Sequence, residues 1–368
     1  MSEPVIPFFD PRYENEILRK ALNEAFQDTI RSGRFILGPT VRAFEEEIAQ
    51  YLNVKHAIGL NSGTDALAIG LRSLGIRPGD EVITTPFSFF ATTEAILAVG
   101  AVPVFVDIDP QTYNIDHRKI EEKISPKTRA ILPVHLFGCP ADMASILKHN
   151  LIVLEDAAQA FGAKLGNQKI GAMGNAGAFS FFPTKILGGY GDGGMIVTDD
   201  NSVAETAKML RVHGARTKYH NEQMGYNSRL DAMQAALLRI KLPYIDEWIN
   251  KRQTVAHRYS EMLADQDEII TPPEMPDAVH VFNSYTIRVP QTKRDPVIQT
   301  MKENGVSVQI YYPVPIHKLP IFSKSPSCDL PNSEQIASQV LSLPMWPHMD
   351  EAMQTKIVQT LKAAVAHA

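Results

Sequence analysis

At 368 residues the chain is longer than one hydrophobic core ordinarily serves, which predicts a large domain with a smaller companion. Hydrophobic residues at 44% and charged residues at 21% are the make-up of a globular protein, and a net charge of −5 argues against nonspecific nucleic-acid binding, which needs clustered Lys and Arg. Cys139 and Cys328, with no C-x-x-C pair, form neither a disulfide framework nor a metal site and fit a reducing cytoplasm; no signal-peptide pattern opens the chain and no apolar run is long enough to cross a bilayer.

In chain order, residues 12–31 and 40–53 read as amphipathic helices. A short apolar strand at 56–60 precedes a helix at 63–74, with Gly75 placed as its C-terminal glycine. Strands at 81–86, 103–108, 130–135 and 151–156 then alternate with helices at 91–99, 118–124 and 141–149. Such alternation predicts an α/β fold, a mostly parallel sheet covered on both faces. Two strands at 176–182 and 194–199, separated by a Gly-rich turn, read as a hairpin at the end of that sheet and make it mixed. Helices follow at 202–213 and 231–258, the second kinked at Pro243. They close a large domain over 1–258. Residues 259–368 read as a smaller α+β domain, with strands at 285–289 and 307–312 and helices at 294–304 and 350–366.

Three segments at the carboxyl ends of predicted strands carry chemistry, because open α/β sheets bind ligands there. Asn61-Ser62-Gly63-Thr64-Asp65 joins a strand to a helix, where backbone N–H groups bind phosphate; taken alone, a simple helix cap is the commoner reading of these residues. Glu155-Asp156 follows an apolar strand. Such a pair suits a metal, a ribose or a protonated ring nitrogen. Lys185 sits after Phe179-Ser180-Phe181-Phe182-Pro183-Thr184 and before a glycine-rich loop. A lysine in apolar surroundings loses its proton readily and becomes nucleophilic, whereas an exposed loop lysine does not. The spelling Gly189-x-Gly191-x-x-Gly194 imitates a dinucleotide fingerprint, but a strand pattern follows it where that fingerprint requires a helix. The first strand leads into Asn61-Ser62-Gly63-Thr64-Asp65 rather than a glycine fingerprint, which disfavours an NAD-dependent enzyme.

Together, S-G-T-D-A-L, E-D-A-A-Q and S-F-F-P-T-K with G-x-G-D-G-G resemble the nucleotide-sugar aminotransferases of the DegT/StrS type. These enzymes use pyridoxal 5′-phosphate (PLP) on the fold type I, aspartate aminotransferase-like scaffold. Gly38-Pro39, the run Gly225-Tyr226-Asn227-Ser228-Arg229-Leu230-Asp231 and Tyr312-Pro313-Val314-Pro315 extend the resemblance over nearly the whole chain. It implies that Lys185 holds PLP as a Schiff base and moves the proton. Asp156 would pair with the pyridine nitrogen, Gln159 would contact the ring hydroxyl and Phe89 would stack on the ring. Gly63, Thr64 and Ser180 would hold the phosphate. Asn227 would reach the phosphate of a neighbouring subunit, which implies a homodimer with shared sites. Arg229, Tyr311, Tyr312 and His317 would face the substrate, and no metal is assigned. His135 and His213 read as structural. Ile186 and Tyr311 stand where many relatives have Asn and His, two positions expected near the sugar.

By the same resemblance the donor is L-glutamate, leaving as 2-oxoglutarate, and the acceptor is a keto-sugar on a nucleotide diphosphate. Amination at C3 is expected, with UDP-linked 3-keto-N-acetylglucosaminuronate as one candidate; amination at C4 is the alternative. The product would serve a glycan, surface polysaccharide or glycosylated natural product. A regulator on this scaffold would have lost the lysine, and a related dehydratase would carry His there; Lys185 argues against both.

Overall fold

The computed structural model describes residues 5–275, 277–324 and 328–368. Helices α1 (Arg12–Ser32) and α2 (Pro39–Leu52) lead in; Pro39 opens α2 and Asn53, at φ 57°, stops it. There follow β1 (His56–Leu60), α3 (Gly63–Ser73), β2 (Glu81–Thr84), α4 (Ala91–Ala98), β3 (Val102–Phe105) and β4 (Thr128–Leu132). Gly75, at φ +84°, takes the conformation expected of a glycine just beyond a helix. Next come the short α5 (Met143–Ile146), β5 (Ile152–Asp156), a two-residue pair β6 (Lys164–Leu165) and β7 (Gln168–Lys169), then β8 (Ala176–Ser180) and β9 (Gly194–Thr198). Beyond them lie α6 (Asn201–Leu210), a small ribbon β10 (Ala215–Thr217) and β11 (His220–Asn221), α7 (Ala232–Lys241) and α8 (Ile245–Leu263). The chain ends with β12 (Ala278–Val279), β13 (Tyr285–Arg288), α9 (Gln291–Glu303), α10 (Pro331–Gln339), β14 (Val340–Leu343) and α11 (Glu351–His367).

The main sheet has the order β1-β9-β8-β5-β4-β2-β3. All neighbours are parallel except β9, which runs antiparallel to both β8 and β1. Alternate residues of one strand enter different cores, as the two-residue period of a strand requires. On β5, Val153 joins Ile83, Ile131 and Val197, under Phe44 of α2 and Trp248 of α8. Its neighbour Leu154 joins Val82, Leu132 and Ile196, under Ile69 of α3 and Leu210 of α6. Helices therefore cover both faces of a mixed, mostly parallel sheet. A third cluster is built from Tyr259, Tyr285, Leu341 and Leu361, and also takes in Ile6 and Val255, so it draws on both sides of residue 258. No helix among the described residues is long and apolar enough to cross a membrane.

Several expected elements differ. The hairpin expected at the end of the sheet lies inside it, because β1 pairs with the free edge of β9. The helix expected at 118–124 is two 3₁₀ turns, His117–Lys119 and Glu121–Lys123. That of 141–149 is the single turn of α5 followed by a 3₁₀ turn. Both segments are too short to sustain a helix without a continuous apolar face. The helix expected to kink at Pro243 is divided by a 3₁₀ turn, Leu242–Tyr244, and its second part runs to Leu263. The strand expected at 307–312 makes only an isolated bridge, Gln309 to Ser342, before Pro313 and Pro315 remove ladder donors. Its end instead aims two tyrosines at the site. Helix α10 and strand β14 were not anticipated, since they follow one another with no turn residue between them.

Candidate active site

A cavity of about 550 Å³ opens at the carboxyl ends of β1, β5 and β8, a size usual for small-ligand sites of roughly 300–1,000 Å³. Its polar lining includes Ser62, Gly63, Thr64, Thr92, Asp156, Gln159, Ser180 and Lys185. Its other walls come from the N-terminal Phe8 and Phe9 and from Asn283, Ser284, Ile310, Tyr311, Tyr312 and Met345.

The acidic pair at the end of β5 divides its labour because consecutive strand residues face opposite ways. Glu155 is fully buried away from the cavity. Its Oε1 accepts from the amides of Met173 and Gly174, each at 2.7 Å, and its Oε2 from the Gly171 amide at 2.8 Å. His135 Nε2 lies 3.1 Å from that Oε2, and its Nδ1 accepts from the Ala141 amide at 3.0 Å, so the proton sits on Nε2. Both residues are architectural, as expected for His135.

Asp156 faces the cavity. Its Oδ2 accepts from Thr92 Oγ1 at 2.7 Å and its Oδ1 from the Ala158 amide at 3.2 Å. Burial raises its carboxyl, opposed by those two hydrogen bonds and by the charge of Lys185. Burial also pushes the Lys185 ammonium down to about 8, against the attraction of Asp156. A carboxylate whose two hydrogen bonds come from neutral donors suits a cationic ligand group. A lysine with a depressed pKa suits nucleophilic and proton-transfer work.

At the start of α3, Ser62 Oγ accepts from the Asp65 amide at 3.1 Å and caps the helix. The cap leaves the amides of Gly63 and Thr64 without an intrahelical partner at the positive end of the helix dipole. A Cβ at Gly63 would lie 2.7 Å from Ser180 Cβ, so only glycine lets β8 approach this turn. The helix start and the Ser180 hydroxyl form an anion cradle. Gln159 is fixed at both ends: its Oε1 accepts from the Phe137 amide at 2.7 Å and its Nε2 donates to the Tyr312 hydroxyl at 3.0 Å.

An anion cradle, a buried carboxylate and a desolvated lysine in one cavity fit the phosphate, pyridinium and aldehyde of PLP. Residues 16–362 match the DegT/DnrJ/EryC1/StrS aminotransferase family. The chain belongs to this family. The Geobacillus stearothermophilus pleiotropic regulatory protein is 45% identical, over 98% of this chain and 99% of its own length. The Acidithiobacillus ferrooxidans UDP-N-acetyl-3-dehydro-alpha-D-glucosamine 3-aminotransferase is 43% identical over 97% of each chain. The solved structure of Streptomyces venezuelae DesV in complex with a ketimine intermediate superposes with a TM-score of 0.94 at 42% identity, covering 98% of this chain and 99% of that one. The enzyme is a PLP-dependent aminotransferase of fold type I. The antiparallel β9, which begins at Gly194 itself, also removes any dinucleotide-binding turn from that segment.

Of the residues singled out in the sequence, the fold brings Gly63, Thr64, Phe89, Asp156, Gln159, Ser180, Lys185, Tyr311 and Tyr312 to one cavity. Asn227, Arg229 and His317 do not line it. Asn227 is exposed. The His317 side chain is 4% exposed, with its Nε2 3.1 Å from Glu334. Ile186, expected near the sugar, is buried in the main core. Sequence reasoning missed Ser88 and Thr92, whose hydroxyls are 2.8 Å apart; their four-residue spacing at a helix start was the available signal. It also missed Phe8 and Asn283, which arrive from distant parts of the chain without a local signature.

Proposed function

We propose that this aminotransferase moves an amino group from L-glutamate to the C3 keto group of a UDP-linked sugar. Membership of the family makes it a sugar nucleotide aminotransferase. The similarity to the Acidithiobacillus 3-aminotransferase supports C3 and UDP. The observation that carries the chemistry is that Lys185 and the buried Asp156 line one cavity, each within electrostatic reach of the other.

Lys185 holds the cofactor and, once released, takes and returns the proton at the reacting carbon. When bound, PLP supplies an electron sink for the charge left on that carbon. Asp156, fixed by Thr92, keeps the ring nitrogen protonated. Gly63, Thr64 and Ser180 bind the phosphate, Gln159 holds the ring hydroxyl and Phe89 covers the ring. Tyr311 and Tyr312 border the substrate. One cavity serves both half-reactions, so the kinetics are ping-pong.

The working unit in this reading is a homodimer in which Asn227 and Arg229 serve the other subunit's cavity, Asn227 at the phosphate and Arg229 at a substrate carboxylate. Their place outside their own chain's cavity supports this arrangement. So do the exposed apolar side chains of Phe26, Ile30, Phe35 and Ile36, a surface that association would bury.

The test is an absorbance titration. L-glutamate should bleach the visible cofactor band of the wild-type enzyme, and Lys185→Ala should have no such response. UDP-linked 3-keto-N-acetylglucosamine, its 6-carboxylate or a UDP-linked 4-keto sugar is then added to the bleached enzyme. Return of the band with a 3-keto sugar supports the reading; return only with the 4-keto sugar overturns the assignment to C3.

A further inference from the structure

The cavity has an N-terminal wall to which nothing above gives a role. Residues 6–9 form a strap pinned at three points: Ile6 N donates to Gly305 O at 2.7 Å, Ser307 N to Ile6 O at 3.0 Å, and Met345 N to Phe8 O at 3.3 Å. Both Phe8 and Phe9 line the cavity. Their packing differs. Phe9 also packs on the C-terminal core and fastens the strap there. Phe8 belongs to no buried hydrophobic cluster among the described residues. Its ring instead stands edge-on to Tyr311, with centroids 5.8 Å apart and planes at 75°. Tyr311 is followed by Tyr312, which Gln159 holds against the floor of the site. An aromatic that only seals the core would sit as Phe9 does.

The chemistry of this wall separates the two substrates. Phe8, Tyr311, Ile310 and Met345 give this wall of the cavity an aromatic and apolar lining. A hexose ring offers a face of slightly positive C–H groups, which suits the negative face of an aromatic ring. Glutamate carries two carboxylates, and lodging them against such a wall strips their hydration without return.

We propose that Phe8, set against Tyr311, is part of the acceptor-sugar subsite, where it contacts the hexose in the second half-reaction and nothing in the first. This rests on the keto-sugar reading above. It makes Phe8 a substrate-contacting residue contributed by the N-terminal strap, one that sorts sugar from amino acid within a shared cavity.

The experiment compares PLP-loaded wild type, Phe8→Ala, Phe8→Leu, Phe8→Tyr and Phe9→Ala, each read in two separate half-reactions. The first is bleaching by L-glutamate; the second is restoration of the band by UDP-linked 3-keto-N-acetylglucosamine. For Phe8→Ala the apparent affinity for the keto-sugar nucleotide should fall about three- to tenfold, the worth of one aromatic contact. Glutamate bleaching should stay within twofold of wild type, and Phe8→Tyr should restore the sugar step. Equal losses in both half-reactions would make Phe8 structural and overturn the subsite. So would a Phe8→Ala enzyme unchanged in the sugar step; Phe8→Leu decides the matter if the alanine variant misfolds. A wild-type enzyme that glutamate bleaches but the keto-sugar never restores fails at the sugar reading itself, a result distinct from either of these.

Discussion

Thr92 Oγ1 donates to Asp156 Oδ2 at 2.7 Å, and the Thr92 hydroxyl is itself met by Ser88 Oγ at 2.8 Å. The cavity's central carboxylate is thus oriented by a hydroxyl from the first turn of α4. Hydrogen bonds to charged groups contribute ~1.5–3 kcal/mol. Thr92→Val should therefore lower kcat about ten- to a hundredfold and shift the visible cofactor band, while Thr92→Ser keeps both close to wild type. Steady-state kinetics and absorbance spectra of the two variants check this.

The two neighbours at the end of β5 should fail in opposite ways. On the proposed role, Asp156→Asn removes the charge that would hold a ring proton and should cost about a hundredfold or more in kcat, with the unfolding midpoint near wild type. Glu155→Gln places an amide where four donors converge and should destabilise the fold by ~3–5 kcal/mol, the usual cost of breaking a buried charged network. Paired urea melts and activity assays separate the outcomes. A Glu155→Gln protein as stable as wild type would remove its architectural role.

Capture of PLP by cofactor-free protein should report the state of Lys185. Only the neutral amine attacks the aldehyde. With its pKa pushed down to about 8 by burial, the capture rate should rise through pH 8, well below the ordinary lysine value near 10.5. Because the Asp156 charge works against that shift, Asp156→Asn should move the midpoint lower still. A capture midpoint above about 9.5 for the wild type would contradict a desolvated lysine. Stopped-flow absorbance across pH 6–10 gives the curve.

A second pH effect lies outside the cavity. His280 is buried, stacks on Phe282 with ring centroids 3.8 Å apart and accepts from the Phe282 amide at 2.9 Å; burial pushes it down to about 3. The native protein keeps this histidine neutral while the unfolded chain protonates it near pH 6.5. The folded state binds fewer protons in that interval, so stability falls as pH drops from 6.5 toward 3. His280→Asn keeps an acceptor without a titration. Its urea midpoint should decline less than that of wild type between pH 7 and 4, and identical declines would show that other groups govern the acid limb.

Local patterns in the chain exposed much of this. The apolar strands, the glycine beyond α3 and the three motifs at strand ends all depend on spacing within a few residues, and Lys185, Asp156, Gly63 and Ser180 come together as that spacing implied. What stayed hidden depends on partners far along the chain. The position of β9 inside the sheet is set by β1, more than 130 residues earlier. Phe8 reaches the site because Ile6 pairs beside Val306 and Met345 holds the Phe8 carbonyl. Ile186 follows the reactive lysine yet turns into the core, which the sequence of a loop does not reveal. His317 carries a motif position but is held by Glu334 from α10, an element without its own signal.

The antiparallel course of β9 has a consequence for the lysine between it and β8. Ser180 pairs directly with Gly194, so the segment 181–193 leaves and re-enters the sheet at one place, on the cavity side. Both ends of the loop that carries the reactive amine are anchored to the same rung of the ladder. Were Lys185 to act as proposed, its released amine would have little room to diffuse and would meet the reacting carbon at a high effective molarity. The strand that departs from the parallel rule would thereby act as a tether on the amine proposed here to carry the proton.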